Sequence, residues 1–336
     1  MVRLLLDEPG LLLGRSGDRF VVRRGGVIVG LFYAGDVEEI VVARSGVVVS
    51  SNALRLAASM GVDVVVLGAR GEAVGVMHGF GLKGFSMIRR EQLRAYDDSR
   101  GVWLARSFVY GKIRGMIYSA SGMPGWAGCC GAEALVVVGR LRELAGRVRR
   151  VGGRGCEDAR RRLLPLEAEA ARLYWGFVAR VLPGFPGRVK RGAADPVNMS
   201  LNYAYGVLYA EATRAVLRAG LDPLAGYLHS DRWGRPSLTL DLVEEFRHIV
   251  ADYAVLKPLL RGTLKPKTMR QGLLDWSTRR KIIKLMDKRL EKQVKHPYTK
   301  AKTSLRQAIL LQATRIAKHL AREEKYKPLT LKPLNP

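Results

Sequence analysis

DPVNMSLNYAYGVLYAEATRAVLRAGLDPLAGYLHSDRWGRPSLTLDLVEEFR, residues 195 to 247, is the stretch whose reading decides the fold of the larger part of this chain. Two helical patterns flank one loop. The first is expected from about Pro196 to Ala219. A proline suits the first helical position, and Gly220 suits the position just past the end. The second is expected from about Leu238 to Leu256. Between them Gly226, His229, Asp231, Gly234 and Pro236 make a loop of turn residues. A histidine at the loop entrance and two carboxylates a turn apart on the next helix can help hold a divalent cation.

Outward from that stretch, the preceding helical run LLPLEAEAARLYWGFVARVL carries a second clue. Its apolar face is Leu163, Ala170, Tyr174 and Phe177 with Val178, and Glu167 lies on that same face. Glu169 points away. A carboxylate on a packed face costs several kcal/mol, as a rough figure, unless it is paired, neutralised or bound to metal. The bland alternative is an ion pair with a buried arginine. On the helix after the loop, Leu242, Phe246, Ile249, Val250 and Tyr253 form the apolar stripe. Glu244 falls opposite, with Asp241, Arg247 and His248. There the bland alternatives are a capping box led by Asp241, or an ordinary wet face. Glu244 and His248 are four apart and can chelate from one helical turn, so spacing alone favours His248 over the loop histidine, His229.

Farther out the two ends differ. Residues 1 to about 85 read as β-rich, with runs at Arg19–Arg23, Val27–Tyr33, Ile40–Arg44, Val62–Leu67 and Ala73–Met77. One helix is expected from Asn52 to Met60 behind a Ser51 cap. The expected fold class is α+β: an N-terminal β-rich sandwich or roll with one helix, then a mostly α-helical catalytic domain. The boundaries are 1–80, a linker over 81–92, and 93–336. Gly79-Phe-Gly81-Leu-Lys-Gly84 spells a dinucleotide-binding motif, but the stretch that follows, SMIRREQLRAYDDSR, reads as helical and basic with no second strand after it, so the motif reads as linker. Helices are expected over 102–119, 132–148 and 161–182, with Pro165 in the first turn of the last. Beyond Lys257 the chain is rich in lysine and arginine, yet keeps helical apolar spacing at Ile282, Leu285, Leu290, Leu305, Ile309 and Leu310. These read as basic helices facing DNA, or as a charged face without a partner.

Composition narrows the function classes. The 336 residues carry a formal net charge of +27, with a pI near 10.5. Such a chain attracts polyanions, of which nucleic acid is the commonest. The longest apolar runs, such as Ala134 to Val138, are far short of a membrane span. MVRLLLDEPG lacks the core of a signal peptide, so a cytoplasmic location is expected. Cys129, Cys130 and Cys156 offer neither a Cys-x-x-Cys metal site nor a disulfide framework.

Several separated blocks together resemble the CRISPR-associated protein one family. They are Glu167-Ala-Glu-Ala-Ala-Arg-Leu-Tyr-Trp175, Asp195-Pro-Val-Asn198, Ala219-Gly-Leu-Asp-Pro-Leu-Ala-Gly-Tyr-Leu-His229 and Ser237-Leu-Thr-Leu-Asp-Leu-Val-Glu-Glu-Phe-Arg247. The resemblance implies a metal-dependent DNA endonuclease and integrase that inserts short duplexes as new spacers into a CRISPR array. It implies Glu167, His229 and Glu244 as ligands of Mg2+ or Mn2+, with Asp241 at a neighbouring acidic position that also serves catalysis. It reverses the preference for His248, a position where the family commonly has proline. Ala168 replaces the family's usual glycine, and Gly115 stands where asparagine is expected after Lys112-Ile-Arg114. The implied partners are duplex DNA (prespacer and CRISPR repeat), a second copy of the chain in a homodimer formed through the N-terminal domain, and CRISPR-associated protein two. The competing readings are a non-catalytic basic DNA- or RNA-binding protein, and a general metal-dependent nuclease without an integrase role.

Overall fold

The structure, a computed structural model, describes residues 2–79, 85–190, 192–269, 273–299 and 301–334. The chain divides into two compact units, Met1–Lys83 and Gly84–Pro336.

In the first unit, short runs rich in valine, leucine and isoleucine build two four-stranded sheets. Strands β1 (Val2–Leu6), β5 (Val37–Val42), β7 (Asp63–Leu67) and β8 (Ala73–Met77) form one, in that order. The first three pair in parallel and β8 returns antiparallel. The other sheet has the order β4 (Val27–Tyr33), β3 (Arg19–Arg24), β2 (Leu11–Ser16) and β6 (Val48–Val49). Its antiparallel β3–β4 hairpin turns at Gly25-Gly26, both with positive φ. Leu4, Leu6 and Ile40 of one sheet meet Leu13 and Phe20 of the other, with Leu56 and Ala57 of α1 (Ser51–Met60), in one core. Strands β1 and β2 add to the runs expected from the sequence. The cap of α1 is Ser50, one residue before the expected Ser51; its hydroxyl accepts from the Ala53 amide.

The second unit is helical: α2 (Phe85–Arg94), α3 (Ser99–Ala127), α4 (Gly131–Arg149), α5 (Cys156–Val181) and α6 (Pro196–Arg218). The linker expected over 81–92 is therefore shorter in regular terms. Residues 81–84, with Gly81 and Gly84 of the glycine motif, lie outside the described residues, and 85–92 are helical. Pro165 lies inside α5 rather than in its first turn. The helix starts earlier because Cys156, Ala159 and Leu163 are buried, and that burial outweighs the hydrogen bond a proline forfeits. Helix α6 behaves as expected, with Pro196 in its first turn, and the structure adds a cap in Asp195, whose side chain accepts from the Asn198 amide.

The helix expected over 238–256 is not continuous. It runs as α7 (Ser237–Val243), a turn, a π-helical segment (Arg247–Asp252) and α8 (Tyr253–Leu260). A π segment shifts the facing of every later side chain. Asp241, Glu244 and His248 are all buried, so the side that a regular helix would leave wet is packed. Asp241 also sits well inside α7, which removes the capping-box alternative.

The basic tail supplies core. In α9 (Trp276–Leu290) and α10 (Leu305–Leu320), Ile282, Ile283, Met286, Leu290, Leu305, Ile309 and Ile316 are buried, and Lys281, Lys284 and Lys288 stay outside. Past α10 the chain has no regular structure, yet Tyr326 is fully buried. Its hydroxyl donates to Glu245 Oε1 (2.5 Å) and accepts from Gln312 Nε2 (2.8 Å). The Leu329 amide donates to Glu245 Oε2 at 2.8 Å. Burial still pushes the Glu245 carboxyl up to about 7, against these bonds. Tyr326→Phe is expected to cost about 1–3 kcal/mol, because Glu245 and Gln312 lose a buried partner. A melting temperature several degrees lower, by circular dichroism, checks this; an unchanged value would show that the tail is not anchored there.

Candidate metal centre

Glu167 rides on α5 and Glu244 follows α7. Both reach the same point on α3, where Lys112 lies on the helix face between Phe108 and Met116, each fully buried. The Lys112 ammonium hydrogen-bonds Glu167 Oε1 and lies 2.9 Å from Glu244 Oε2. The bland alternative for Glu167 is thus half right: a buried cation does pair with it, and that cation is a lysine. Close approach is possible because the flanking residues are glycines. A Cβ on Gly111 would stand 2.7 Å from Glu245 Cγ, and one on Gly115 would stand 3.3 Å from His248 Cβ. Two of the three departures from the family pattern, Gly115 and His248, therefore face each other. Side-chain volume absent from α3 is supplied from the opposite segment.

Glu244 is 1% exposed and flanked by two cations, Lys112 and Arg247, and by the His229 ring. Arg247 Nη2 is 3.2 Å from Oε1, and His229 Nε2 is 3.9 Å from the same oxygen. Burial would raise its pKa, but the charges of Arg247 and Lys112 prevail and hold it well below the usual carboxylate range. For Lys112, burial would lower the pKa; the charges of Glu167 and Glu244 outweigh it and the net direction is up. Both groups are therefore charged at neutral pH.

His229 is set by Asp241, which is completely buried. Asp241 accepts from the amides of Tyr227 (2.6 Å), Leu228 (2.9 Å) and His229 (2.9 Å), and bonds the His229 ring at Nδ1 (2.6 Å). Each carboxylate oxygen thus serves two donors. Since a carboxylate only accepts, Nδ1 carries the proton and a neutral ring leaves Nε2 with its lone pair toward Glu244. Gly226 is required here: a Cβ would lie 2.7 Å from Ser237 Cβ and 3.0 Å from Asp241 Oδ2. Helix α2 holds the other side of the loop. Gln92 donates to the carbonyls of Asp222 and Ala225, and the Tyr227 hydroxyl donates to the Gln92 carbonyl.

His248 is held elsewhere. Its Nδ1 is 2.6 Å from Asp252 Oδ2, and Asp252 also accepts from the Tyr174 and Tyr205 hydroxyls. This buried network ties α5, α6 and the π segment together.

Beside the two glutamates opens a cleft of about 520 Å³, lined by Glu167, Lys112, Trp175, Arg188, Lys190 and Arg247 among others. Arg188 donates to Asn198 (2.9 Å) and Asn202 (2.6 Å), and lies over the ring of Tyr205 at 5.1 Å. Asn198 belongs to one of the sequence blocks, and holding Arg188 on the cleft wall is what it does here. Burial, with repulsion from Lys112 and Arg247, lowers the pKa of Lys190.

Among the described residues no three His, Cys, Asp or Glu side chains close around one point. The donor set still fits a hard divalent cation. Two carboxylates already converge on one cationic nitrogen, and the free edge of an oriented imidazole faces one of them. Asp241 fits less well as a direct ligand, because its oxygens are taken by four donors. Sequence reasoning singled out Glu167, His229, Glu244 and Asp241, and the structure brings the last three together directly and Glu167 through Lys112. It passed over Lys112, Arg188, Lys190 and Arg247. A signal existed for two of them: Lys83, Lys112 and Lys190 are the only lysines before Lys257 in an arginine-rich sequence, and Lys112 sits on an apolar stripe.

Comparison with known proteins places these observations in a family. The family described as CRISPR associated protein Cas1 matches residues 4–288, ending within α9. The CRISPR-associated endonuclease Cas1 of Hyperthermus butylicus is 35% identical, over 95% of this chain and 97% of its own length. A CRISPR-associated endonuclease Cas1 of Archaeoglobus fulgidus is 32% identical, over 97% and 98%. Among solved structures, a casposase bound to integration product shares the fold, with a TM-score of 0.80 at 20% identity, over 98% of this chain and 93% of that one.

Proposed function

The chain belongs to the Cas1 family, and from that premise we propose that it is a metal-dependent DNA endonuclease and integrase of CRISPR adaptation. It inserts short duplex fragments as new spacers into a CRISPR array. The observation that carries this reading is the convergence of Glu167 and Glu244 on one cationic nitrogen, with His229 turned to Glu244, beside a cleft walled by basic side chains. Glu167, His229 and Glu244 hold Mg2+ or Mn2+. Asp241 keeps the His229 ring in the tautomer a ligand needs. When bound, such an ion polarises the scissile phosphate and lowers the pKa of an attacking water or sugar hydroxyl. Arg188, Lys190 and Arg247 offer positive charge to the DNA backbone along the cleft. The rest of the +27 charge attracts the duplex as a whole.

Inserting a duplex joins two 3′-ends to two strands, so two active sites must be held at a fixed separation, and a two-fold homodimer does this most simply. The N-terminal unit, Met1–Lys83, is the dimerisation element, and the helical unit from Gly84, which includes α2, is the catalytic domain. Support comes from the edge strand β4, where Val27, Ile28, Val29, Leu31 and Tyr33 are all exposed. An apolar sheet edge of this kind normally has a partner. CRISPR-associated protein two bridges such dimers, and the assembly works in the cytoplasm. No described helix is long and apolar enough to cross a membrane.

The test is an integration assay with that partner, a repeat-containing target and a short duplex. A duplex with free 3′-hydroxyls is expected to give joined strands in Mn2+ and none in EDTA. Dideoxy 3′-ends should eliminate joining while metal-dependent nicking persists. Equal joining of dideoxy and normal ends would rule out transesterification by the 3′-hydroxyl. Nicking without joining under every condition would make the protein a nuclease alone.

A further inference from the structure

Lys112 is the one feature of the centre that the metal chemistry above does not use. A buried lysine between two carboxylates stabilises them: without it, Glu167 and Glu244, the latter 1% exposed, would face each other with only Arg247, 3.2 Å from Glu244, to offset their charge. The same contact blocks the site. A Mg2+ ion needs oxygens at about 2.0–2.1 Å, so it must stand where the ammonium stands, and two cations cannot share those oxygens. Lysine is suited to leaving. Its charge is a compact point on a flexible four-carbon stem, whereas an arginine fork would bind the carboxylates in fixed geometry. An exit exists as well, because Lys112 lines the cleft.

We propose that Lys112 is an exchangeable counter-cation: its ammonium bridges Glu167 and Glu244 in the metal-free protein, and metal entry drives it into the cleft, where it becomes a contact for the DNA phosphate. No covalent bond changes. The divalent ion takes the two carboxylates, and the ammonium exchanges them for a phosphate oxygen. DNA gives the displaced lysine a new anionic partner, so metal and DNA bind each other's complexes more tightly than either binds alone. The inference rests on the metal-dependent reading above.

Two measurements on the full-length protein test it, using Mn2+ alone as the probe. The first is calorimetric titration of native protein and Lys112→Met. With the competing ammonium gone, Mn2+ is expected to bind at least about tenfold more tightly. The metal-free variant should also melt at a lower temperature than native protein, and Mn2+ should raise it by more. A folded variant that binds Mn2+ no more tightly than native protein overturns the exchange. The second measurement keeps native protein and labels amines with an acetylating reagent, followed by mass spectrometry. Lys112 should be protected without metal and become several-fold more reactive in saturating Mn2+, while Lys281 and Lys284 stay unchanged. Continued protection of Lys112 in saturating Mn2+ also overturns the exchange, and this decides the matter if Lys112→Met does not fold. Mn2+ binding by the native chain with no gain in the variant removes only the exchange. Failure of both proteins to bind Mn2+ removes the metal-dependent reading and the exchange with it.

Discussion

Replacing Glu167 with alanine is expected to abolish Mn2+-dependent DNA cleavage, by at least about two orders of magnitude, in a protein that remains folded and still binds DNA. Glu167 is one of two carboxylates at the centre, and its side chain lies at the mouth of the cleft with 16% exposure. Alanine is a good helix former in the middle of α5, and Lys112 keeps Glu244 as a partner. The fold therefore has little reason to fail, while one hard oxygen ligand is lost. The basic walls of the cleft are untouched, so DNA affinity should change little. His248→Ala is the informative contrast. His248 belongs to the buried network with Asp252, Tyr174 and Tyr205, so this variant should lose thermal stability and, where folded, still bind Mn2+. Cleavage rates, filter binding of DNA and melting curves on the three proteins check this. A fully active Glu167→Ala would refute the ligand assignment. A stable but inactive His248→Ala beside an active His229→Ala would move the ligand to the other histidine.

The second large effect is expected at Asp241. Asp241→Asn keeps the shape but replaces one acceptor oxygen by a donor amide, within reach of three backbone N–H groups and the His229 ring. Whichever way the amide sits, donors face donors or the His229 proton loses its acceptor. In the second case the ring can change tautomer and present a proton instead of a lone pair toward Glu244. Mn2+ affinity should fall by about 10–100-fold, as is usual when the partner of a metal-binding histidine is changed. Asp241→Ala should go further and destabilise the loop from Gly226 to His229 outright, because three backbone amides, two of them in fully buried residues, lose their acceptor. Calorimetry with Mn2+ and thermal melts separate the two. Native Mn2+ affinity in Asp241→Asn would show that Asp241 does not orient His229.

Local pattern alone determined a good part of this protein. The capped helix from Pro196 follows from Asp195, Pro196 and Gly220, whose roles need only their neighbours in sequence. The β-branched runs in Arg19–Arg24 and Val27–Tyr33 with Gly25-Gly26 between them specify a hairpin. Glu167 was legible as an inward-facing carboxylate because α5 is a regular helix, where residue spacing is a reliable guide to facing. The separated blocks, occurring in the family's order, carried the resemblance, and through it the choice of His229 over His248.

Tertiary structure decided the rest, for two physical reasons. One is irregular backbone. Glu244 and His248 were placed by a continuous 3.6-residue wheel, but the chain there passes from α7 through a turn into a π segment, and α3 and α6 pack on sides that a wheel would leave to solvent. The other is sequence distance. Lys112 meets Glu167 across 55 residues and Glu244 across 132, and Tyr326 meets Glu245 across 81. Each partner looks locally like a misplaced polar residue on an apolar face. Only the fold, by bringing those faces together where burial makes an unpaired charge costly, determines that Glu167 and Lys112 answer one another, and that the basic tail closes the core behind Glu244.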